Sequence, residues 1–450
     1  MESQTGGAAV AHMMLWGLDP LWVSTALLIA TYATIMTEKL NRAIVALVGA
    51  GLMISLGLLN QDQAVEGIDF NTLALLTGMM LIVAIARQSG IFQCVAILCA
   101  KAARANPAGI LVMLGIATAI LSALLDNVTT VLLIAPVTLV ICRELGVKAY
   151  PFLFAEIMAS NIGGTATLIG DPPNIIIGSA AGLSFTDFVY ALSPVVVFIL
   201  LFNCLAVHLI WGRSMVSTAD ARARVMALDH RGAITDRPLM FKAVFVIGLV
   251  TLGFVLAHSL HMEAGTIALF GAAILLLLAN IGRSAEHQHH HLIESFNEVE
   301  WITIFFFVGL FIVVAGVEHA GLLKIMADWL IGVSKGNIHT LGVAMLWVSA
   351  ILSAIIDNIP FVATMIPVIQ SMAPTFGGEQ ELLPLWWSLS LGACLGGNGT
   401  LIGASANLTV AGIGERAGVP FRFLEFAKVA FPLMLISIAI SNAYLEWRFL

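Results

Sequence analysis

The chain has 450 residues, 60% apolar and only 10% charged, with a mean hydropathy of +0.99. A soluble domain carries about 25% charged residues, so this composition excludes a water-soluble protein and describes one that spans a membrane many times. The net charge of −7 argues against a nucleic-acid partner, and 40 glycines with 14 prolines point to broken or closely packed spans.

A span needs about 20 apolar residues. In chain order, such runs predict crossings near 20–37, 42–60, 70–87, 149–180 and 188–211. The first 20 residues hold no Lys or Arg and so lack the basic start of a signal peptide. A polar, basic stretch at 212–240 reads as a cytoplasmic linker. Further crossings follow near 241–258, 264–282, 300–317, 385–413 and 428–447. Two stretches do not fit this scheme. Residues 107–142 and 338–373 are apolar with a polar break in the middle, at Asp126-Asn127 and Asp357-Asn358, and each arm is short for a span. They predict re-entrant hairpins. With the N-terminus outside, 17 of the 20 Lys and Arg fall on the inner side, as the positive-inside rule requires; counting each hairpin as two crossings breaks that pattern.

The expected fold is therefore an all-α polytopic membrane protein with ten spans, two re-entrant hairpins and two broken helices. Residues 119–137 align on 350–368 with 10 of 19 identical, and 163–174 align on 396–407 with 7 of 12 identical. Gly78 and Gly90 match Gly309 and Gly321 at the spacing of the first pair. Five crossings per half turn the second half upside down, which is the inverted-repeat plan of secondary transporters. The expected domains are a first repeat at 1–211, the linker at 212–240 and a second repeat at 241–450.

Asp126, Asp171 and Asp357 lie in the most apolar stretches, where a charge costs roughly 2.5–3.5 kcal/mol. All three sit at helix breaks, where irregular backbone is tolerated only if it lines a cavity. The alternative for each is a neutral carboxyl, or one that caps the helix after the break. Gly163-Gly164 and Gly396-Gly397 should each end a half-helix. Pro172-Pro173 suit the first turn of the next one, and Ser405-Ala406 replace them in the second half. Two tips and two breaks converging at mid-membrane would make a site of Asn, Thr and Asp groups without Lys or Arg, poorly suited to a strongly anionic substrate unless a cation binds with it.

Other features carry less. The five cysteines form no zinc spacing and read as packing residues, although Cys394 lies close enough to Gly396 to reach the site. Trp22, Trp211, Trp301, Trp329, Trp386, Trp387 and Trp447 fall at predicted span ends, as an aromatic belt requires. The His287–His291 tract reads as a solvated inside loop, with metal sensing as the alternative. No HExxH or GxSG occurs, and Leu168-Ile169-Gly170-Asp171 lacks the first glycine of the aspartyl intramembrane hydrolases. The sequence alone does not exclude an ion channel.

The segments DNVTTVLLIAPV, NIGGTATLIGDPPN, DNIPFVATMIP and ACLGGNGTLIGASAN resemble the ion-transporter superfamily, above all the ArsB/NhaD permeases and the melanosomal P protein. The resemblance runs over about residues 20–447. It implies a transport domain of two hairpins and two broken helices flanked by scaffold helices. Carried over by position, the substrate and ion site would be Asn127, Thr129, Gly164, Thr167, Asp171 and Asn174, with Asn358, Gly397, Asn398, Thr400 and Asn407. Asp126 and Asp357 join it as acids at the tips, where sodium-coupled dicarboxylate members carry Ser-Asn-Thr. The resemblance then implies arsenite or antimonite efflux in exchange for protons, with sodium/proton exchange and P-protein-like anion transport as alternatives. It implies no catalytic residue, metal or cofactor, and places the chain in the inner (plasma) membrane. It admits an arsenite-delivering ATPase as partner, and a monomer or homodimer.

Overall fold

The computed structural model describes residues 18–37 and 39–450; the readings made on the first 17 residues lie outside the described residues. All regular structure among the described residues is helical, with no strand. Eight helices there are long and apolar enough to cross a bilayer: Phe70–Gln88, Pro107–Leu124, Asn127–Leu145, Phe185–Ser214, Arg237–Leu260, Trp301–His319, Ile338–Ile355 and Phe423–Arg448. Three expected crossings are shorter, since Pro20–Met36, Arg42–Ser55 and Ala264–Asn280 have 17, 14 and 17 residues. Three of the four hairpin arms are long enough by length alone to cross, contrary to the expectation that all are short; only Asn358–Gln370, with 13 residues, stays well below a span. The first hairpin gains its length because its second helix continues through Arg143 and Glu144 to an αL cap at Gly146.

The chain divides into two compact units. One holds the described residues up to Asp69 with Trp301–Trp329. Its centre is the packing of Trp301–His319 on Arg42–Ser55, where Gly309 faces the backbone of Ala46 and Leu47 so closely that a Cβ would stand 2.6 Å from it. Arg42 lies 5.1 Å from the centre of the Phe306 ring and donates to Thr303 at 3.3 Å.

The other unit holds Phe70–Glu300 and Leu330–Leu450. Here Phe70–Gln88 packs on Ala264–Asn280, and Gly78 faces the backbone of Ala268 and Leu269 so closely that a Cβ would stand 2.5 Å from it. Two helices, Tyr150–Gly164 and Leu383–Gly396, are buried on nearly every side, which matches their apolar residues all round. That burial corrects one expectation. Trp386 and Trp387 are core residues, Trp387 packing edge-on against Phe188, whereas Trp22, Trp329 and Trp447 remain exposed. The His tract is likewise no loop. It lies in the helix Ala285–Asn297, started by Ser284 and anchored by buried His291, whose Nε2 lies 3.0 Å from Gln88 Oε1. Arg87 and Glu298 pair at 2.5 Å beside it. The linker is also partly helical, over Ala219–Ala227, where Arg224 pairs with Glu144 at 3.2 Å.

Candidate functional site

The hairpins and breaks all lie in the second unit, and local chemistry sets each of them. Asn106 and Asn337 occupy equivalent positions and cap the first helix of each hairpin, accepting from Ala108 N at 3.0 Å and His339 N at 2.9 Å. At the tips, Asp126 Oδ1 accepts from Thr129 N at 2.7 Å and Asp357 Oδ1 from Ile359 N at 3.2 Å. Both acids thus make the cap that the alternative reading foresaw. A cap uses one oxygen, and the second oxygen of Asp357 accepts from Ser405 Oγ at 3.2 Å. Asp171 differs. It makes no cap bond to the helix Pro172–Ala181; its Oδ1 accepts from Asn358 Nδ2 at 3.4 Å, and its buried Oδ2 has no partner.

The breaks fall where the glycines and prolines predict. Tyr150–Gly164 stops at its second glycine and the next helix opens with Pro172-Pro173; Leu383–Gly396 gives way to a short turn and restarts at Ser405. Each break is stitched to its own hairpin by the same bonds. Ser122 Oγ donates to Ser160 O and Ser353 Oγ to Ala393 O, both at 2.6 Å. Thr167 Oγ1 donates to Ala123 O at 2.6 Å and Thr400 Oγ1 to Ala354 O at 2.5 Å. Close approach explains the glycines: a Cβ on Gly163 would stand 2.1 Å from Ala119 O, and one on Gly396 2.5 Å from Ala350 O. Gly164 and Gly397 close the break by facing the carbonyls of Gly170 and Gly403.

Between the breaks runs a chain of amides. Asn127 Nδ2 donates to Asn161 Oδ1 at 3.1 Å; Asn161 Nδ2 reaches Asn398 Oδ1 at 3.0 Å and Asn407 Oδ1 at 2.8 Å. Asn407 Nδ2 ties back to Thr400 O at 2.8 Å, and Asn174 Nδ2 to Thr167 O at 2.9 Å. Asn174 Oδ1 accepts from Ser390 Oγ at 2.6 Å and lies 3.4 Å from Cys394 Sγ. Asp126 and Asp357 both lie within electrostatic range of Asp171.

Of the residues expected at the site, Asn127, Asn398 and Asn407 are linked through Asn161, whereas Asn174 bonds to its own break and to Ser390, and Asp171 pairs with Asn358. Thr167 and Thr400 spend their hydroxyls on hairpin carbonyls, and Thr129 contributes a backbone N–H to Asp126. Two members, Asn161 and Ser390, were not foreseen, and Cys394 was expected only to come within reach of the site. Asn161 is the hub, and Ser390 and Cys394 hold Asn174. Asn161 and Cys394 stand at equivalent positions two residues before Gly163 and Gly396, so the mismatch hides them from a search for shared residues. Each reaches across to the equivalent asparagine of the other half. None of these bonds uses Lys, Arg or His, and no cluster of three or more His, Cys, Asp or Glu fit for a metal ion occurs among the described residues. Amides, hydroxyls and carboxyls of this kind can hold a polar solute by hydrogen bonds and can exchange protons; they offer an anion no fixed cation.

The family model described as citrate transporter (CitMHS) matches residues 32–392. An uncharacterized transporter of Mycobacterium bovis is 42% identical over 95% of this chain and 98% of its own length. The human P protein is 33% identical over 99% of this chain, which spans 62% of that longer protein. Among solved structures, the YdaH transporter of Alcanivorax borkumensis matches with a TM-score of 0.60 at 13% identity, over 96% of this chain and 99% of that one. That last likeness is one of fold.

Proposed function

The chain belongs to the CitMHS family, described as citrate transporter, and from that premise we propose that it moves a small polar solute across the membrane in exchange for protons by alternating access. It is a secondary transporter, in line with the family's description and with the transporter name of its mycobacterial relative. The observation that carries the exchange reading is the composition of the amide cluster. Buried carboxyls at Asp126 and Asp171 and the half-buried carboxyl of Asp357 lie among asparagines and helix breaks, and none of the bonds named in the cluster uses a basic side chain. An uncharged oxyacid needs only hydroxyl and amide partners, so arsenite or antimonite is our first substrate class. In this reading Asn127, Thr129, Gly164, Thr167, Asn174, Asn358, Gly397, Asn398, Thr400 and Asn407 shape and line the site, and the three aspartates bind the coupling proton.

Two matched packings support an inverted repeat at 1–211 and 241–450 joined by the linker: Gly78 on Ala268, and Gly309 on Ala46. In each, a helix of one half packs on a helix of the other. We take the membrane to be the plasma membrane, with ten spans, both hairpins re-entrant and the N-terminus outside. A second reading, transport of a carboxylate such as citrate with a compensating cation, is favoured by the family's description. Everted vesicles given arsenite, antimonite, Na+ or citrate one at a time decide between them. Proton release with arsenite or antimonite alone supports the first; release with citrate alone, or with Na+ alone, replaces it.

A further inference from the structure

One fully buried acid lies outside the amide cluster. Glu156 sits in Tyr150–Gly164, five residues before the hub Asn161 and five after Pro151, roughly 7.5 Å along the helix from each. Its Oε1 accepts from Thr138 Oγ1 of the neighbouring hairpin helix, and its Oε2 is buried without a partner. Pro151, on the other side, lines a cavity of about 590 Å³ at the end of the hairpin, together with Val147, Lys148, Tyr150 and Trp211. Glu156 therefore stands midway between a cavity at the surface and the centre of the site. On the same hairpin helix, Asn127, Thr130 and Thr138 follow one another toward that cavity, and Asn127 Oδ1 and Thr130 Oγ1 are also buried without partners.

We propose that Glu156 and Thr138 form a proton-binding site, separate from the amide cluster, that is loaded from the cavity beside Pro151. A bare carboxylate in an apolar interior with no paired cation costs several kcal/mol, and no ion pair involves Glu156 among the described residues. A proton on Oε2 removes that cost while Thr138 goes on donating to Oε1. An alkali cation is a poorer fit, since one carboxylate and one hydroxyl fill only part of its oxygen shell. Loading forms the Oε2–H bond with a proton from water; unloading breaks it and leaves the carboxylate.

The titratable groups around Glu156 do not offer a competing charge. Cys142 lies on the helix of Thr138, where Arg143 is exposed and Glu144 pairs with Arg224, and Cys204 and Cys394 lie on other helices packed against Tyr150–Gly164. Helix Pro107–Leu124 carries none. His208 packs against Gly212, and Asp187, Tyr190, Glu415 and Arg416 are exposed on their helices.

A role in transport rests on the proton-exchange reading; proton binding by Glu156 does not. Infrared titration of the full chain in lipid tests binding directly. A protonated-carboxyl band should persist at neutral pH, disappear in Glu156→Gln and survive in Asp171→Asn. A spectrum unchanged in Glu156→Gln at every pH overturns the proposal. Should that variant fail to reach the membrane, Thr138→Val is expected to shift the same band and its titration midpoint, and an unshifted band overturns it. In everted vesicles given arsenite, Glu156→Gln should lose the pH dependence of proton release. Absent proton release in the unaltered protein refutes the exchange reading and leaves the infrared result to stand alone.

Discussion

At the scale of single residues, the three aspartates divide by their partners. Asp126 and Asp357 each cap a helix, whereas Asp171 has one oxygen without a partner and is matched by Ala404 in the other half. A residue needed only for backbone shape should recur in both halves, as Gly170 and Gly403 do. Asp171→Asn is therefore expected to keep exchange of substrate for substrate but to lose uphill transport driven by a pH gradient. Ordinary pH-dependent accumulation by that variant would assign Asp171 a structural role and pass coupling to Asp126 and Asp357. Those two, changed singly to Asn, should lose gradient-driven transport while still folding, because Asn also caps helices. Asn161 makes a sharper case. Replacing it with Ala strips partners from Asn127, Asn398 and Asn407, at about 1–3 kcal/mol for each group left unsatisfied. Lowered thermal stability in detergent together with lost transport is the expected pair of results; lost transport at full stability would mean the hub contacts the solute and does little to hold the fold.

At the scale of elements, the glycines where hairpin and broken helix touch are the most exacting positions. Gly163→Ala and Gly396→Ala force a methyl to within 2.1 and 2.5 Å of a backbone carbonyl, and overpacking of this kind costs typically 1–3 kcal/mol. Gly248→Ala is the control, since nothing lies within 4 Å of its Cβ and alanine is the better helix former by about 1 kcal/mol. Melting curves of the three variants should fall, fall and hold or rise. The helix Ala285–Asn297 responds to pH instead. Burial holds the His291 imidazole below its ordinary value, with Arg283 adding to the effect, and its Nδ1 is buried without an acceptor. The unfolded form then binds the proton more readily, so the docking contribution is complete above the ordinary imidazole pKa of about 6.5 and fades as pH falls below it. Hydrogen exchange across 285–297 should quicken on acidification in the unaltered chain and lose that dependence in His291→Gln.

At the scale of the whole molecule, single cysteines report sidedness. Placed within 212–240 they should be shielded from an impermeant thiol reagent in intact cells, whereas those at 181–187 or 374–383 should react; labelling at 181–187 only after lysis would reverse the inverted arrangement. The sequence by itself determined the membrane class, the two breaks and the equivalence of the two motif pairs. Those are properties of composition and of local chain chemistry: Gly-Gly ends a helix, Pro-Pro starts one, and Asn or Asp caps one wherever they stand. It misjudged helix lengths and the His tract, because a helix runs on through polar residues when neighbours and caps support it. It also passed over Asn161, Ser390 and Glu156, and gave Cys394 no partner. For Asn161, Ser390 and Cys394 the significance lies in partners far along the chain, Asn161 with Asn407 and Cys394 with Asn174, and no spacing rule reaches that far; Glu156 meets Thr138 only 18 residues away, but on a different helix. Only the tertiary structure decided which asparagine is the hub, which threonines are already committed to backbone carbonyls, and which Trp residues are buried. A side chain's hydrogen-bond partners and exposure follow from what the fold brings against it, and that is set by packing between segments more than 200 residues apart.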